Sequence, residues 1–342
     1  MRIGILTGGG DCPGLNPVIR AVVRQSINNG DNVLGIKYGW KGLLDKEFEE
    51  LDLEKISGIL PRGGTILRTS RTNPYKKEDG PERIKNNFNE LGLDALIAVG
   101  GEDTLGVAYK LYKDIDLKVV GVPKTIDNDL SATDFTFGFD TSINIVTECI
   151  DRLHTTAESH NRIMIVEVMG RHAGWIATYG GLAGGADYIL IPEIPIDIDD
   201  VVESIKRRHK RGKDFSIIVV AEGATFKEGT HFVQEKEVDE FGHVKLGGIG
   251  NTLGDLLKER LHYDIRVVVL GHIQRGGAPS AFDRILATRF GIKAYELVKD
   301  GKFGHMCALS GNKIIDVPLE RAVNALKTVD MDIYNMSKIF FG

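Results

Sequence analysis

The chain has 342 residues, more than one hydrophobic core usually serves, which predicts two domains. Hydrophobic residues make up 42% and charged residues 27%, the balance of a water-soluble globular protein rather than a disordered or membrane-spanning one. A net charge of −5 argues against a general nucleic-acid binder, so any anionic ligand must be held by local cations.

Cys12, Cys149 and Cys307 have no metal-ligand spacing and read as reduced thiols. The N-terminus shows no leader-like segment, and no apolar run reaches the ~18 residues of a membrane helix. A cytoplasmic location without membrane contact is the expectation.

Arg2 to Thr7 alternates apolar residues into Gly8, Gly9 and Gly10, and an apolar-periodic helix is predicted from about Pro17 to Asn29. Strand, glycine turn and helix together suit a phosphate, because glycine permits close backbone approach and a helix start offers amides. The run is neither a Walker A loop nor a dinucleotide fingerprint, and tight helix packing alone would also require glycine. Asn32 to Ile36 reads as a second strand. The segment from Gly58 to Asn73 carries Arg62, Arg68 and Arg71, each either a phosphate clamp or a solvated loop side chain.

A helix from Pro81 to Leu91 and a strand from Asp94 to Val99 lead into a second glycine turn, Gly100-Gly101-Glu102-Asp103-Thr104. Acids in such a turn suit Mg²⁺, which takes one or two carboxylates plus phosphate oxygens and water. Glu102 and Asp103 are both candidates, whereas Asp103 and Thr104 could instead cap the helix.

Val119 to Val122 is an apolar strand that Pro123 is expected to end, placing Lys124-Thr125-Ile126-Asp127-Asn128-Asp129 in the crevice at the strand's carboxyl end. Two carboxylates beside a cation and a hydroxyl suit phosphoryl transfer: one acid takes a proton from an attacking alcohol and the cation neutralises the moving group. A polar turn satisfying its own backbone is the plain alternative.

Beyond a long helix from Ser142 to about Ser159, strands at Arg162 to Val168, Tyr188 to Ile191 and Phe215 to Ala221 alternate with helices. The first closes on Met169-Gly170-Arg171 and the last on Glu222-Gly223. The basic run Lys206 to Lys213 sits at a helix end, where cations suit the dipole, and reads as a solvated face. Thr230 to Val244 reads as a surface hairpin or loop. A helix from Gly250 to Leu261, a strand from Arg266 to Leu270 ending in Gly271-His272-Ile273-Gln274-Arg275, a helix from Ala281 to Lys299 and a tail with one short helix at Leu319 to Thr328 complete the chain. The fold class is α/β, with a parallel sheet in each half.

Taken together, the glycine turns, the Thr125–Asp129 motif, Met169-Gly170-Arg171, Glu222 and the Gly271–Gly277 run closely resemble the phosphofructokinase family, in family order from the first strand to about Lys299. The resemblance implies two doubly wound, Rossmann-like domains with the active site in the cleft between them. The first would take residues 1–138 and about 251–303, as the donor-binding domain; the second would take 139–250 and about 304–342, as the fructose-6-phosphate-binding domain. It implies Asp127 as the base toward the sugar 1-hydroxyl, with Lys124, Thr125, Asp129 and Arg171 beside it. Gly10, Arg71, Gly101, Asp103 and Lys124 would meet the donor, and Glu102 would hold Mg²⁺. Thr125, Ile126, Met169, Gly170, Arg171 and Glu222, with His272, Ile273, Gln274 and Arg275, would bind fructose 6-phosphate. Arg162 and Arg266 would reach its phosphate from a neighbouring subunit, in a homodimer or homotetramer.

Many ATP-using members have glycine at the positions of Asp103 and Lys124. A carboxylate at Asp103 would repel the inner phosphate of ATP, whereas diphosphate escapes the clash. The expectation is reversible transfer from diphosphate to fructose 6-phosphate, giving fructose 1,6-bisphosphate in glycolysis or gluconeogenesis, with ATP as the competing donor. A dehydrogenase would need a dinucleotide fingerprint, and a sugar-phosphate sensor would not need Asp127, Asp129 and Glu102 together.

Overall fold

Two parallel sheets meet at their carboxyl ends in the computed structural model, which describes residues 1–227 and 248–342. The expected hairpin or loop at Thr230 to Val244 lies outside the described residues. In chain order the first unit comprises β1 (Arg2–Thr7), α1 (Leu15–Asn28), β2 (Asn32–Ile36), α2 (Trp40–Asp45), β3 (Phe48–Leu51), α3 (Gly80–Glu90), β4 (Ala95–Gly100), α4 (Glu102–Ile115), β5 (Val119–Thr125) and the short β6 (Phe137–Gly138). The second comprises α5 (Phe139–His160), β7 (Arg162–Val168), α6 (Trp175–Ala183), β8 (Tyr188–Leu190), α7 (Ile198–Lys210), β9 (Ser216–Ala221), α8 (Ile249–Arg260) and β10 (Asp264–Val269). The chain then returns through α9 (Ala281–Lys299), β11 (His305–Ser310), β12 (Lys313–Pro318), α10 (Leu319–Val323) and α11 (Met331–Ser337).

The first sheet runs β12-β11-β5-β4-β1-β2-β3, with β6 beside β5, and only the edge strands β3 and β12 are antiparallel. Because β1 leads to β2 on one side and lies against β4 on the other, strand order reverses between β1 and β4, where α/β sheets open a ligand crevice. The second sheet, β10-β7-β9-β8, is wholly parallel, and its central strands carry the apolar runs Ile163–Val166 and Ile217–Ala221, as burial on both faces requires. Helices therefore cover both sides, α1 with α9 on one face of the first sheet and α4 with α10 on the other.

These pairings correct the expected domain limits. Residues 264–269 pair with β7 and so belong to the second unit, and residues 305–318 extend the first sheet through Met306 beside Gly121. The tail crosses back: Tyr334 donates to the Ile189 carbonyl at 3.0 Å. Three smaller corrections accompany this. Strand β5 continues through Pro123, which is tolerated because pairing on the β11 side ends at Gly121. The helix expected to Thr328 stops at Val323, and the hairpin β11–β12 was not expected at all.

The units share a core. One apolar cluster runs from Ile3 and Val99 in the first sheet through Phe137, Phe139 and Phe290 to Trp175, Val166 and Val219 in the second. At this junction Asp283 of α9 is fully buried and accepts from the Thr141 N–H at 2.8 Å and the Thr141 hydroxyl at 2.5 Å, tying α9 to the start of α5. Burial, the largest cause, raises its pKa to about 6.

Replacing Asp283 with alanine strands these donors and should lower stability by roughly 2–4 kcal/mol. A carboxyl that holds its proton more tightly when folded contributes most at low pH and loses that contribution as pH rises through about 6. The loss in urea midpoint should thus be larger at pH 5 than at pH 8; equal losses would refute the assignment.

Candidate active site

Six strand ends converge on one cleft of about 410 Å³. From the first sheet come Gly9 and Gly10 after β1, Gly101 to Thr104 after β4, and Lys124, Thr125, Asp127 and Asp129 at the end of β5; Arg71 enters from the loop before α3. From the second come Met169, Arg171 and His172 after β7, Glu222 after β9, and His272 and Arg275 after β10. Alternation past the end of β5 sorts the motif: Thr125, Asp127 and Asp129 face the cleft, whereas Ile126 and Asn128 are buried. Asn128 reaches this turn with φ of 51°, in the left-handed region asparagine tolerates, and its amide oxygen accepts from the Thr136 N–H at 3.2 Å. The Thr125 hydroxyl accepts from the Asp127 N–H at 3.0 Å, fixing the first acid relative to the strand.

The floor of the cleft is a buried cation. Lys124 is only 3% exposed, and its Nζ donates to the Gly10 carbonyl at 2.5 Å, joining β5 to the first glycine turn. Burial pushes its pKa below the ordinary lysine range, opposed by the negative charges of Asp11 and Asp127. Asp129 moves the other way, to about 7, first through burial and then through the charge of Asp127. Glu222 is raised by burial and by Asp127, with Arg171 opposing. A carboxylate whose proton affinity is raised by burial and by a neighbouring acid, as in Asp129, can hold a proton near neutral pH.

Glycines set two close approaches. A methyl on Gly10 would sit 2.3 Å from Nη1 of Arg275, whose guanidinium also reaches the Asp11 carbonyl at 3.4 Å. Arg275 thus touches the donor-side turn as well as lining the common cleft. A methyl on Gly223 would sit 1.9 Å from the Arg171 carbonyl.

Helix α4 has Gly101, rather than Asp103 or Thr104, at its N-cap, and Glu102 and Asp103 place two acids in its first turn, at the cleft wall. Both also line an adjoining cavity of about 280 Å³ with Tyr75, Gly106, Tyr109 and Lys110. Arg71 alone of the three loop arginines lines the cleft: Arg68 donates to the Tyr38 hydroxyl at 2.7 Å, and Arg62 is exposed.

Several expected residues stand outside the cleft. Gln274 is buried and its oxygen accepts from the Met169 N–H at 3.2 Å, so it shapes the loop rather than facing ligand. Ile126 packs in the core, Gly170 carries φ of 136° to turn that loop, and Ile273 is 57% exposed. Arg162 and Arg266 both bind Asp264, at 2.7 and 3.1 Å, on the edge strand β10 and away from the cleft of their own chain. Conversely Gly9, Thr104 and His172 line the cleft without having been singled out; His172 directly follows Arg171, and that adjacency was the available signal.

A family model described as phosphofructokinase matches residues 2–298. The chain belongs to the phosphofructokinase family. It is 57% identical over 343 residues, the full length of both chains, to the pyrophosphate–fructose 6-phosphate 1-phosphotransferase of Amycolatopsis methanolica. It is 54% identical over 330 residues, 96% of each chain, to ATP-dependent 6-phosphofructokinase 3 of Streptomyces coelicolor. Among solved structures, phosphofructokinase from Saccharomyces cerevisiae superposes with TM-score 0.82 at 34% identity, covering 94% of this chain and 45% of the yeast chain. The chain therefore spans under half the length of that yeast protein.

Two measurements test this geometry. Gly10→Ala meets only the movable end of Arg275, so kcat/KM should fall at least about tenfold with the urea midpoint unchanged, whereas Gly223→Ala meets backbone and should lower both. A matched stability loss in the two variants would contradict the contact assignment. Separately, kcat/KM should decline as pH falls through about 7, where Asp129 gains its proton, and Asp129→Asn, neutral at every pH, should remove that limb and leave kcat/KM near its low-pH level throughout. An unmoved limb would rule Asp129 out.

Proposed function

We propose that this phosphofructokinase catalyses reversible, Mg²⁺-dependent transfer of a phosphoryl group from diphosphate to the 1-hydroxyl of fructose 6-phosphate. Relatives of nearly equal identity carry both donors in their names, so the donor is read from the cleft. The observation that carries the reading is Asp103, whose position in the first turn of α4 makes it part of the wall between the cleft and the adjoining cavity. A nucleoside triphosphate with its terminal phosphorus in the cleft would extend past this wall. Like charges ~4 Å apart at an effective dielectric near 20 repel by about 4 kcal/mol. Diphosphate ends before the wall.

In this reading Asp127 takes the proton as the sugar oxygen attacks the terminal phosphorus. The new O–P bond forms while the bridging O–P bond breaks, and inorganic phosphate leaves. Asp129 holds the pair's charge, Lys124 and Arg71 stabilise the donor oxygens, and Arg171 reaches toward the moving group from the second sheet. Met169, Glu222 and His272 line the sugar side. Among the described residues no group of three or more His, Cys, Asp or Glu side chains could hold a metal alone. Glu102 in the cleft wall instead fits a Mg²⁺ that shares its coordination with donor oxygens. When bound, such an ion neutralises phosphate charge. Arg162 at the start of β7 and Arg266 on the edge strand β10 would serve a neighbouring subunit's sugar phosphate, which makes the working unit an oligomer.

ATP as donor is the second reading, favoured by the adjoining cavity, whose Tyr75 and Tyr109 could receive a base. Kinetics with each donor separate the two: kcat/KM with diphosphate should exceed that with ATP at least a hundredfold, and Asp103→Gly should raise ATP use at least tenfold. Equal use of ATP by the unaltered chain would overturn the donor assignment and leave the transfer chemistry standing.

A further inference from the structure

A lysine outside the cleft is tied to both loops that build it. Lys327, between α10 and α11, donates its backbone N–H to the Asp129 carbonyl at 2.9 Å. Its ammonium donates to the carbonyls of Thr133 at 3.0 Å and Asp134 at 2.5 Å, in the stretch that follows the acidic motif. Neighbouring residues extend the seam: Leu326 bridges Leu130, and the Ser131 hydroxyl donates to the Ala325 carbonyl.

The opposite side of the same segment grips the second unit. The Lys327 ammonium lies 4.8 Å from the centre of the Trp175 ring, and the indole N–H donates to the Lys327 carbonyl at 3.0 Å. Glu193 accepts from the Val329 N–H at 2.9 Å and from the Gly174 N–H at 3.0 Å. Gly174 and Trp175 start α6, directly after the Met169–His172 loop that presents Arg171. One residue thus joins the carboxylate loop, through its N–H on Asp129, and the stretch that follows it, through its ammonium, to Trp175 at the start of the helix that follows the arginine loop. Burial lowers the pKa of Lys327 to about 8, with the charges of Asp134 and Asp129 opposing the fall.

We propose that Lys327 is a positioning residue for phosphoryl transfer, holding the Asp127–Asp129 loop and the Met169–Arg171 loop in register across the junction of the two units. It touches neither substrate. A misplacement of ~1 Å between base and phosphoryl-stabilising groups costs on the order of a hundredfold in rate while leaving binding groups in place. The proposal rests on the phosphoryl-transfer reading, but not on which donor is used.

The test uses the full chain and whichever donor the unaltered protein turns over; absence of turnover there would instead refute the transfer reading. Lys327→Met, which keeps length and loses charge, should lower kcat about 30-fold per folded molecule with both KM values within about threefold, and Lys327→Arg should recover most of the loss. Unchanged kcat, or a loss that follows only the unfolded fraction and is not recovered by arginine, would overturn it. Should the methionine variant not fold, Trp175→Phe, which removes the indole N–H, carries the test: kcat should fall about threefold at constant KM, and an unchanged kcat would overturn the proposal.

Discussion

A buried ammonium organises this cleft. Lys124 lies almost wholly out of water with the Gly10 carbonyl as its hydrogen-bonded partner, and an isolated cation in such a place costs several kcal/mol. The cost is offset by the surrounding acids, Asp11 and Asp127, and would be offset further by an anionic donor in the glycine turn. The same contact ties the end of β5 to the turn after β1, so the acid motif and the donor turn cannot move independently.

Around that floor the two sheets contribute opposite halves of one reaction. The first supplies the acids and the donor turn; the second supplies Arg171, Glu222 and the His272–Arg275 loop. Neither sheet alone holds a base facing a full set of cations. The shared aromatic core at Phe137, Phe139 and Trp175, the Asp283 tie and the tail through Lys327 are therefore catalytic in consequence although remote from ligand: they fix the distance across which a phosphoryl group must travel.

The site was more legible in the sequence than the division into domains. Strand, turn and helix repeats announce strand ends, and ligands gather at strand ends, so Gly10, Glu102, Asp103, Asp127, Arg171 and Glu222 could be placed without knowing strand order. Which sheet a strand joins is not written locally. Residues 264–269 read as a strand in either unit, and only their pairing with β7 decides. The hairpin at residues 305–318 went unread because its outer strand lies at a sheet edge, where Lys313, Asp316 and Pro318 break up the apolar signal. Side-chain direction was equally hidden: Gln274 and Arg275 are neighbours, yet one supports the Met169 loop and the other meets Gly10, a distinction set by a single tight turn. Lys327 carried no motif at all, since its role arises from contacts nearly 200 positions apart in the chain.

The central claim is that Asp103 closes the cleft to any donor longer than two phosphates. Calorimetric titration of the unaltered protein, with Mg²⁺ and fructose 6-phosphate present, by diphosphate analogues and by a non-hydrolysable ATP analogue tests it at equilibrium, free of turnover. The account predicts saturable heat for the two-phosphorus ligand and at least a hundredfold weaker binding of the nucleotide, a gap of about 2.7 kcal/mol. Comparable affinity for the two would contradict it.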